Sequence, residues 1–199
     1  FDDLTYSDQG IVISEIMVNP AAVSDSYGEW FEIVNTTDST IIIDGWEVRD
    51  SNGDLHIIGL ENQIVSVNPG EFFVLSRNSD PSLNGGLDVN YVYTDISLSN
   101  SEDQIIIADS TGAIVDEVYY DDSWAFSSGV SMEIQNILTD NSSVSNWFPS
   151  TLNYGQGDYG TPGEPYDGTI NIDHSYNILE DFQIAEPFPN PFNPVVRIQ

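Results

Sequence analysis

The sequence is a succession of short apolar runs rich in Ile, Val, Phe, Tyr and Trp, each closed within a few residues by Asn, Asp, Gly, Ser or Pro. β-Branched and aromatic side chains fit a pleated, half-buried surface, and the residues between them supply turn conformations, so the pattern reads as strand–turn–strand. Strands are expected over 11–18, 29–35, 41–49, 55–58, 71–77, 90–93, 104–109, 113–120 and 130–135. No segment of 12 or more residues shows a convincing helical period. Asn52-Gly53 falls between two of these runs and tolerates the positive φ of a tight hairpin turn. Asp109-Ser110-Thr111-Gly112 joins two further strands in the same way, and Asn68-Pro69-Gly70 punctuates the approach to the next. Many short strands at this spacing favour an all-β antiparallel sandwich over a parallel sheet.

Composition limits the partners. Hydrophobic residues make up 40% of the 199, enough for a packed core, and cysteine is absent, so packing rather than disulfides must hold the fold. Thirty-three acidic residues face three basic ones, Arg49, Arg77 and Arg197, giving a formal charge of -30. Such a chain repels phosphate backbones and anionic membrane surfaces and attracts divalent cations. The same acidity confers solubility in salty water, where screening weakens self-repulsion. No apolar run approaches the roughly 20 residues needed to span a bilayer. Phe1 followed by two aspartates reads as the start of a processed product or a fragment.

The residues that carry chemistry are sparse. Serine nucleophiles need a base beside them, and the chain has only His56 and His174, with no Gly-x-Ser-x-Gly elbow. The reading is therefore non-enzymatic. Glu15, Glu29 and Glu32 interrupt apolar strands, where a buried carboxylate is costly unless paired or hydrogen-bonded. Strand alternation turns them to solvent, and the alternatives are hydrogen bonds from backbone donors or a shared calcium ion. Asp50, Asn52 and Asp54 resemble the start of a calcium loop with Glu61 at the twelfth position, but Leu55 stands where glycine is needed, so a hairpin turn is the first reading. Trp30, Trp46, Trp124 and Trp147 read mainly as core, while Val118–Trp124 offers an exposed aromatic patch of Tyr119, Tyr120 and Trp124. Ser39 and Ser110 lie in Asp-Ser-Thr tripeptides at turns, a pattern resembling a bacterial O-glycosylation acceptor.

Blocks of residues in a fixed order carry a resemblance. Ile13-Ser14-Glu15-Ile16-Met17-Val18-Asn19-Pro20 precedes Gly28-Glu29-Trp30-Phe31-Glu32-Ile33-Val34-Asn35. Asp44-Gly45-Trp46-Glu47-Val48, Pro69-Gly70-Glu71-Phe72-Phe73-Val74-Leu75 and Leu98-Ser99-Asn100-Ser101-Glu102-Asp103 follow. The series ends in Tyr154-Gly155-Gln156-Gly157-Asp158 and Gly160-Thr161-Pro162-Gly163. Over residues 10–166 the chain resembles a bacterial lamin-tail domain, which implies an immunoglobulin-like sandwich found in extracellular and surface proteins as a binding or structural module. Pro187-Phe188-Pro189-Asn190-Pro191-Phe192-Asn193-Pro194 with the run after it resembles the opening of the C-terminal sorting domain of the type IX secretion system, of which this chain holds one strand. That resemblance implies export across an outer membrane, with the secretion machinery as a transient partner.

The expected organisation is an N-terminal extension at 1–9, the sandwich at 10–166, an extended linker at 167–186 and the sorting-domain-like strand at 187–199. Phe182 and Ile184, and Val195, Val196 and Ile198, have the alternation needed to add a strand to an open sheet edge. The function this supports is an extracellular or cell-surface structural module that assembles with itself or with other extracellular proteins. A monomeric adhesion module binding carbohydrate or depending on calcium, and an accessory domain of a secreted hydrolase, are the alternatives.

Overall fold

The computed structural model describes residues 10–166. In chain order the elements are β1 (Ile11–Met17), a single helical turn α1 (Asp25–Gly28), β2 (Trp30–Asn35), β3 (Ile41–Ile42), β4 (Glu47–Arg49), β5 (Leu55–Ile57), β6 (Ser66–Val67) and β7 (Phe72–Ser76). Then come β8 (Tyr91–Val92), β9 (Asp103–Ala108), β10 (Ile114–Tyr120), β11 (Met132–Ile134), β12 (Trp147–Pro149), β13 (Asn153–Tyr154) and β14 (Asp158–Tyr159). A six-stranded sheet runs β12-β11-β1-β2-β7-β8 and a four-stranded sheet runs β10-β9-β4-β5. Within these two sheets all pairings are antiparallel except β7 with β8.

The inward faces of the two sheets meet in one core. Ile11, Ile13, Ile16, Phe31, Ile33, Phe73, Leu75, Met132 and Ile134 come from the larger sheet, and Val48, Ile105, Ile107, Val118 and Tyr120 from the smaller. This is the expected all-β, immunoglobulin-like sandwich. The expected strand 41–49 is two strands: the turn at Asp44-Gly45, with Gly45 at φ +80°, breaks it. The halves pair with different partners, β3 with β6 and β4 with β5 and β9. β11 falls within the expected strand 130–135, whereas its partner β12 and the pair β13–β14 lie past residue 138, where Asn, Ser and Gly mask the strand signal and cross-strand partners supply the order.

The β1–β2 register shifts between Ile13 and Glu15, leaving Ser14 as a bulge. The amide of Ile13 donates to Asp116 Oδ2 of β10 at 2.6 Å. Asn141 Nδ2 donates to the same oxygen at 2.8 Å, and Trp147 Nε1 donates to the Asn141 backbone carbonyl at 2.8 Å. Burial raises the Asp116 carboxyl to about 6 against these bonds.

A row of buried glutamates beneath a C-terminal strap

Along β1 and β2 every residue is buried, so alternation sends polar groups not to water but to the sheet's second face. The reason is a strap, residues 150–166, that crosses that face. Trp30 Nε1 donates to Tyr154 Oη at 2.9 Å, their rings meeting edge to face. Asp158 accepts the amides of Ala21 and Ala22, at 3.1 and 3.0 Å. The strap also interlocks with the 84–87 loop, where Gln156 N donates to the Gly85 carbonyl at 2.7 Å.

Beneath the strap, register aligns Glu133 of β11, Glu15 of β1 and Glu32 of β2 side by side. They are only 2%, 1% and 1% exposed. Like charges directly opposed on adjacent strands repel, and here solvent cannot screen them. Neutral donors surround them instead. Ser14 Oγ, from the bulge, donates to Glu32 Oε1 at 2.7 Å, and Gly163 N donates to Glu32 Oε2 at 2.6 Å. Ser131 Oγ donates to Glu15 Oε1 at 2.5 Å, and Thr161 N donates to the same oxygen at 3.0 Å. Thr161 Oγ1 lies 3.1 Å from Glu15 Oε2 and 3.0 Å from Glu133 Oε2. A Cβ on Gly160 would stand 2.8 Å from Glu15 Oε1, so only glycine lets the strap come this close.

Burial, then the neighbouring Glu133 and Glu32, holds the Glu15 carboxyl well above its ordinary value. Burial raises Glu32 to about 8 in spite of its bonds to Ser14 and Gly163. The gap among Ser14, Glu15, Glu32, Glu133 and Thr161 is about 10 Å³, room for at most one water. Among the described residues, no group of three or more His, Cys, Asp or Glu is placed to hold a metal ion.

The expectation that Glu15, Glu29 and Glu32 face solvent is overturned for all three: the strap covers the face of Glu15 and Glu32 that alternation would have wetted, and Arg77 and Leu98 cover Glu29. Nor do the three share a site. Glu29 stands apart, accepting from Arg77 Nη1 at 3.0 Å and from Leu98 N at 3.2 Å. Burial lifts its carboxyl to about 7, opposed by the Leu98 amide and by Arg77. Arg77→Gln is expected to cost about 2 kcal/mol near pH 8.5, where Glu29 is left charged and buried, and less near pH 5, where it takes up a proton. Urea denaturation at both pH values checks this; equal losses would show that the pair contributes no pH-dependent stability.

Asp50, Asn52 and Asp54 form the expected hairpin turn: Asp50 Oδ1 accepts the amides of Asn52, Gly53 and Asp54, at 2.8–2.9 Å. The aromatic patch needs a correction. Tyr119 is 51% exposed, but Tyr120 is fully buried with its hydroxyl donating to the Ser99 carbonyl at 2.8 Å. Trp124 is buried against Trp147, ring centroids 5.7 Å apart, because the 121–124 turn folds it back over the core. His56 closes an edge rather than serving a nucleophile. Its Nδ1 accepts from Thr94 N at 3.1 Å, and Nε2 lies 2.8 Å from Tyr91 Oη. Ser39 and Ser110 are exposed in turns. Phe182, Ile184, Val195, Val196 and Ile198, and His174 with them, lie outside the described residues.

The blocks that carried the resemblance converge here. Glu15 meets Thr161, Trp30 meets Tyr154, and Glu29 meets Leu98. A family model, Lamin Tail Domain, matches residues 5–122, more than half of the chain. The chain belongs to the lamin tail domain family. Comparison with curated proteins gives no match. The matched span ends just after β10, yet β11 pairs with β1 inside the larger sheet. In this lamin tail domain the acid row is therefore completed by Glu133 and closed by Thr161 and Gly163, all beyond the matched residues.

A second surface lies on the outer face of the four-stranded sheet. Register places Leu55, Arg49, Ile106 and Glu117 in one row, and Ile57, Glu47, Ala108 and Ile114 in the next. Leu55 and Ile57 are 47% and 51% exposed, and Arg49 pairs with Glu47 at 3.1 Å between them and β9. No described helix is long and apolar enough to cross a membrane.

Proposed function

We propose that this lamin tail domain is a non-enzymatic structural module that works outside the cell and assembles through its surfaces and terminal strands. The observation that carries the reading is the outer face of the four-stranded sheet, where Leu55, Ile57 and Ile114 are exposed around the Arg49–Glu47 pair in a chain of formal charge -30. Exposed apolar side chains gathered on one face mark interaction surfaces. Export is supported by the resemblance of residues 187–199 to a type IX sorting segment. Strand addition by 182–199 supplies the directional contact, through backbone hydrogen bonds that do not depend on charge. Self-repulsion must be screened, so assembly strengthens with salt.

Static light scattering of the full chain at low and high salt, beside a chain ending at residue 181, tests the proposal. Salt-dependent oligomers lost on truncation are expected; assembly unaffected by truncation would defeat strand addition, and a monomer throughout would defeat the module as an assembling one. The monomer outcome would favour the second reading, a carbohydrate-binding module. A groove of about 520 Å³ lined by Leu152, Asn153, Tyr154, Thr161, Glu164 and Tyr166 supports that reading, since it sets aromatic rings beside polar groups. Glycan attachment at Ser39 and Ser110 is compatible with either and would appear as added intact mass.

A further inference from the structure

The strap is held to the sheet by an unusual set of acceptors. Three carboxyl groups stand in register on adjacent strands, out of water, and the donors that reach them from the strap are Thr161 N, Thr161 Oγ1 and Gly163 N. Other titratable groups around the row are also acidic: Glu164 of the strap acts on Glu32, Tyr154 lies near Glu15, and Tyr166 lies near Glu133. From β7, the row continues into the apolar Val74. Neither described arginine helps, since Arg77 is bound to Glu29 and Arg49 to Glu47.

The hydrogens at Thr161 point the same way. Its hydroxyl has one hydrogen, yet it contacts both Glu15 Oε2 and Glu133 Oε2. As a donor it satisfies one of them. The other contact is a full hydrogen bond when that glutamate carries a proton and donates to the hydroxyl oxygen. An ionised row would instead set two carboxylate oxygens against one hydroxyl hydrogen.

We propose that residues 150–166 form a proton-operated latch, closed over the Glu133–Glu15–Glu32 row while the row holds protons and opened when it loses them. The sign follows from burial. Glu15 and Glu32 bind protons more tightly folded than unfolded, so their contribution to closure is complete below about pH 4.5 and is lost as pH rises through the folded values, near 8 for Glu32. Opening uncovers the acid row and the edge of Trp30 that Tyr154 covers. It also releases the end of the strap from which the chain runs on into residues 167–199.

Amide hydrogen exchange of the full chain, expressed as protection factors at about pH 6 and about pH 9.5, tests the latch, with the Ile105–Ile107 amides of β9 as the internal control. Protection at Thr161 and Gly163 is expected to fall on the order of 100-fold between the two conditions while β9 stays protected. Glu32→Gln keeps a carbonyl oxygen to accept from Gly163 N, its amide can donate to Ser14 Oγ in place of the present bond, and the Glu32 titration is removed, so this variant should hold its strap protection to higher pH. Unchanged protection of Thr161 and Gly163 in the wild-type chain would overturn the latch whether or not the variant folds. So would a Glu32→Gln chain that loses protection at the same pH as wild type.

Discussion

Replacing Asp116 with alanine should lower the unfolding free energy by about 3 kcal/mol, because two buried donors lose their common acceptor. Ile13 N and Asn141 Nδ2 both point at Asp116 Oδ2, at 2.6 and 2.8 Å. The first is a β1 backbone amide that points away from β2, so with Asp116 gone no partner in the β1–β2 ladder takes its place. The second orients Asn141, whose carbonyl holds the indole of Trp147 in the core. For a domain of this size the loss corresponds to a fall in Tm of roughly 6–12 °C. Asp116→Asn keeps an oxygen for the Ile13 amide and should lose about half as much. Burial raises Asp116 to about 6, so its contribution is largest in acid and shrinks as pH rises through that value. The alanine deficit should therefore be larger near pH 5 than near pH 8. A urea midpoint displaced by less than about 1 kcal/mol equivalent would mean that the Ile13 amide and Asn141 do not depend on this carboxyl group.

Gly155→Ala is the other large effect, and it acts on the strap. Gly155 has φ +48°, and a Cβ there would lie 2.1 Å from the Gly85 carbonyl oxygen, with Gly86 crowding from the same side. The obstacle is backbone, so no rotamer change relieves it. Gly112 makes the contrast: at φ +83° it has nothing within 4 Å of a Cβ. Gly112→Ala should cost only the conformational strain, about 1 kcal/mol, while Gly155→Ala adds a steric term and should cost about 3 kcal/mol or detach the strap. Thermal melts of both variants, with exchange protection of the Gln156 amide, separate global from local loss. Equal melting temperatures for the two would remove the close approach as a structural requirement.

The second substitution acts on one architectural fact, that the larger sheet has no wet face along β1 and β2. An ordinary antiparallel sandwich buries one face of each sheet and solvates the other. Here the four-stranded sheet follows that rule, with Tyr119 out and Val118 and Tyr120 in. The six-stranded sheet does not, since Leu87 and Val89 of the 84–90 loop and Tyr154 of the strap cover its second face, with Met17, Trp30 and Val74 packed beneath them. Polar side chains on that face must then find donors or hold protons, and the glutamate row does both.

The class of fold and most of its strands were legible in the residue pattern, because apolar period and turn chemistry are local properties: β1, β2, β7, β9 and β10 lie within a residue or two of where that pattern puts them. The anomaly was legible too, glutamates within apolar runs in a chain with three arginines. What no local pattern carries is the destination of those glutamates. Alternation states which residues share a face, not what lies over that face, and the covering residues Thr161 and Gly163 are 146 and 131 positions away from Glu15 and Glu32. The same holds for Asp116 and Ile13, 103 residues apart, and for Tyr120 and Trp124, whose burial depends on a turn and on Trp147. Local sequence sets the period of a strand; only the tertiary fold, by placing a distant segment over a sheet, decides whether a carboxyl group there meets water or another carboxyl.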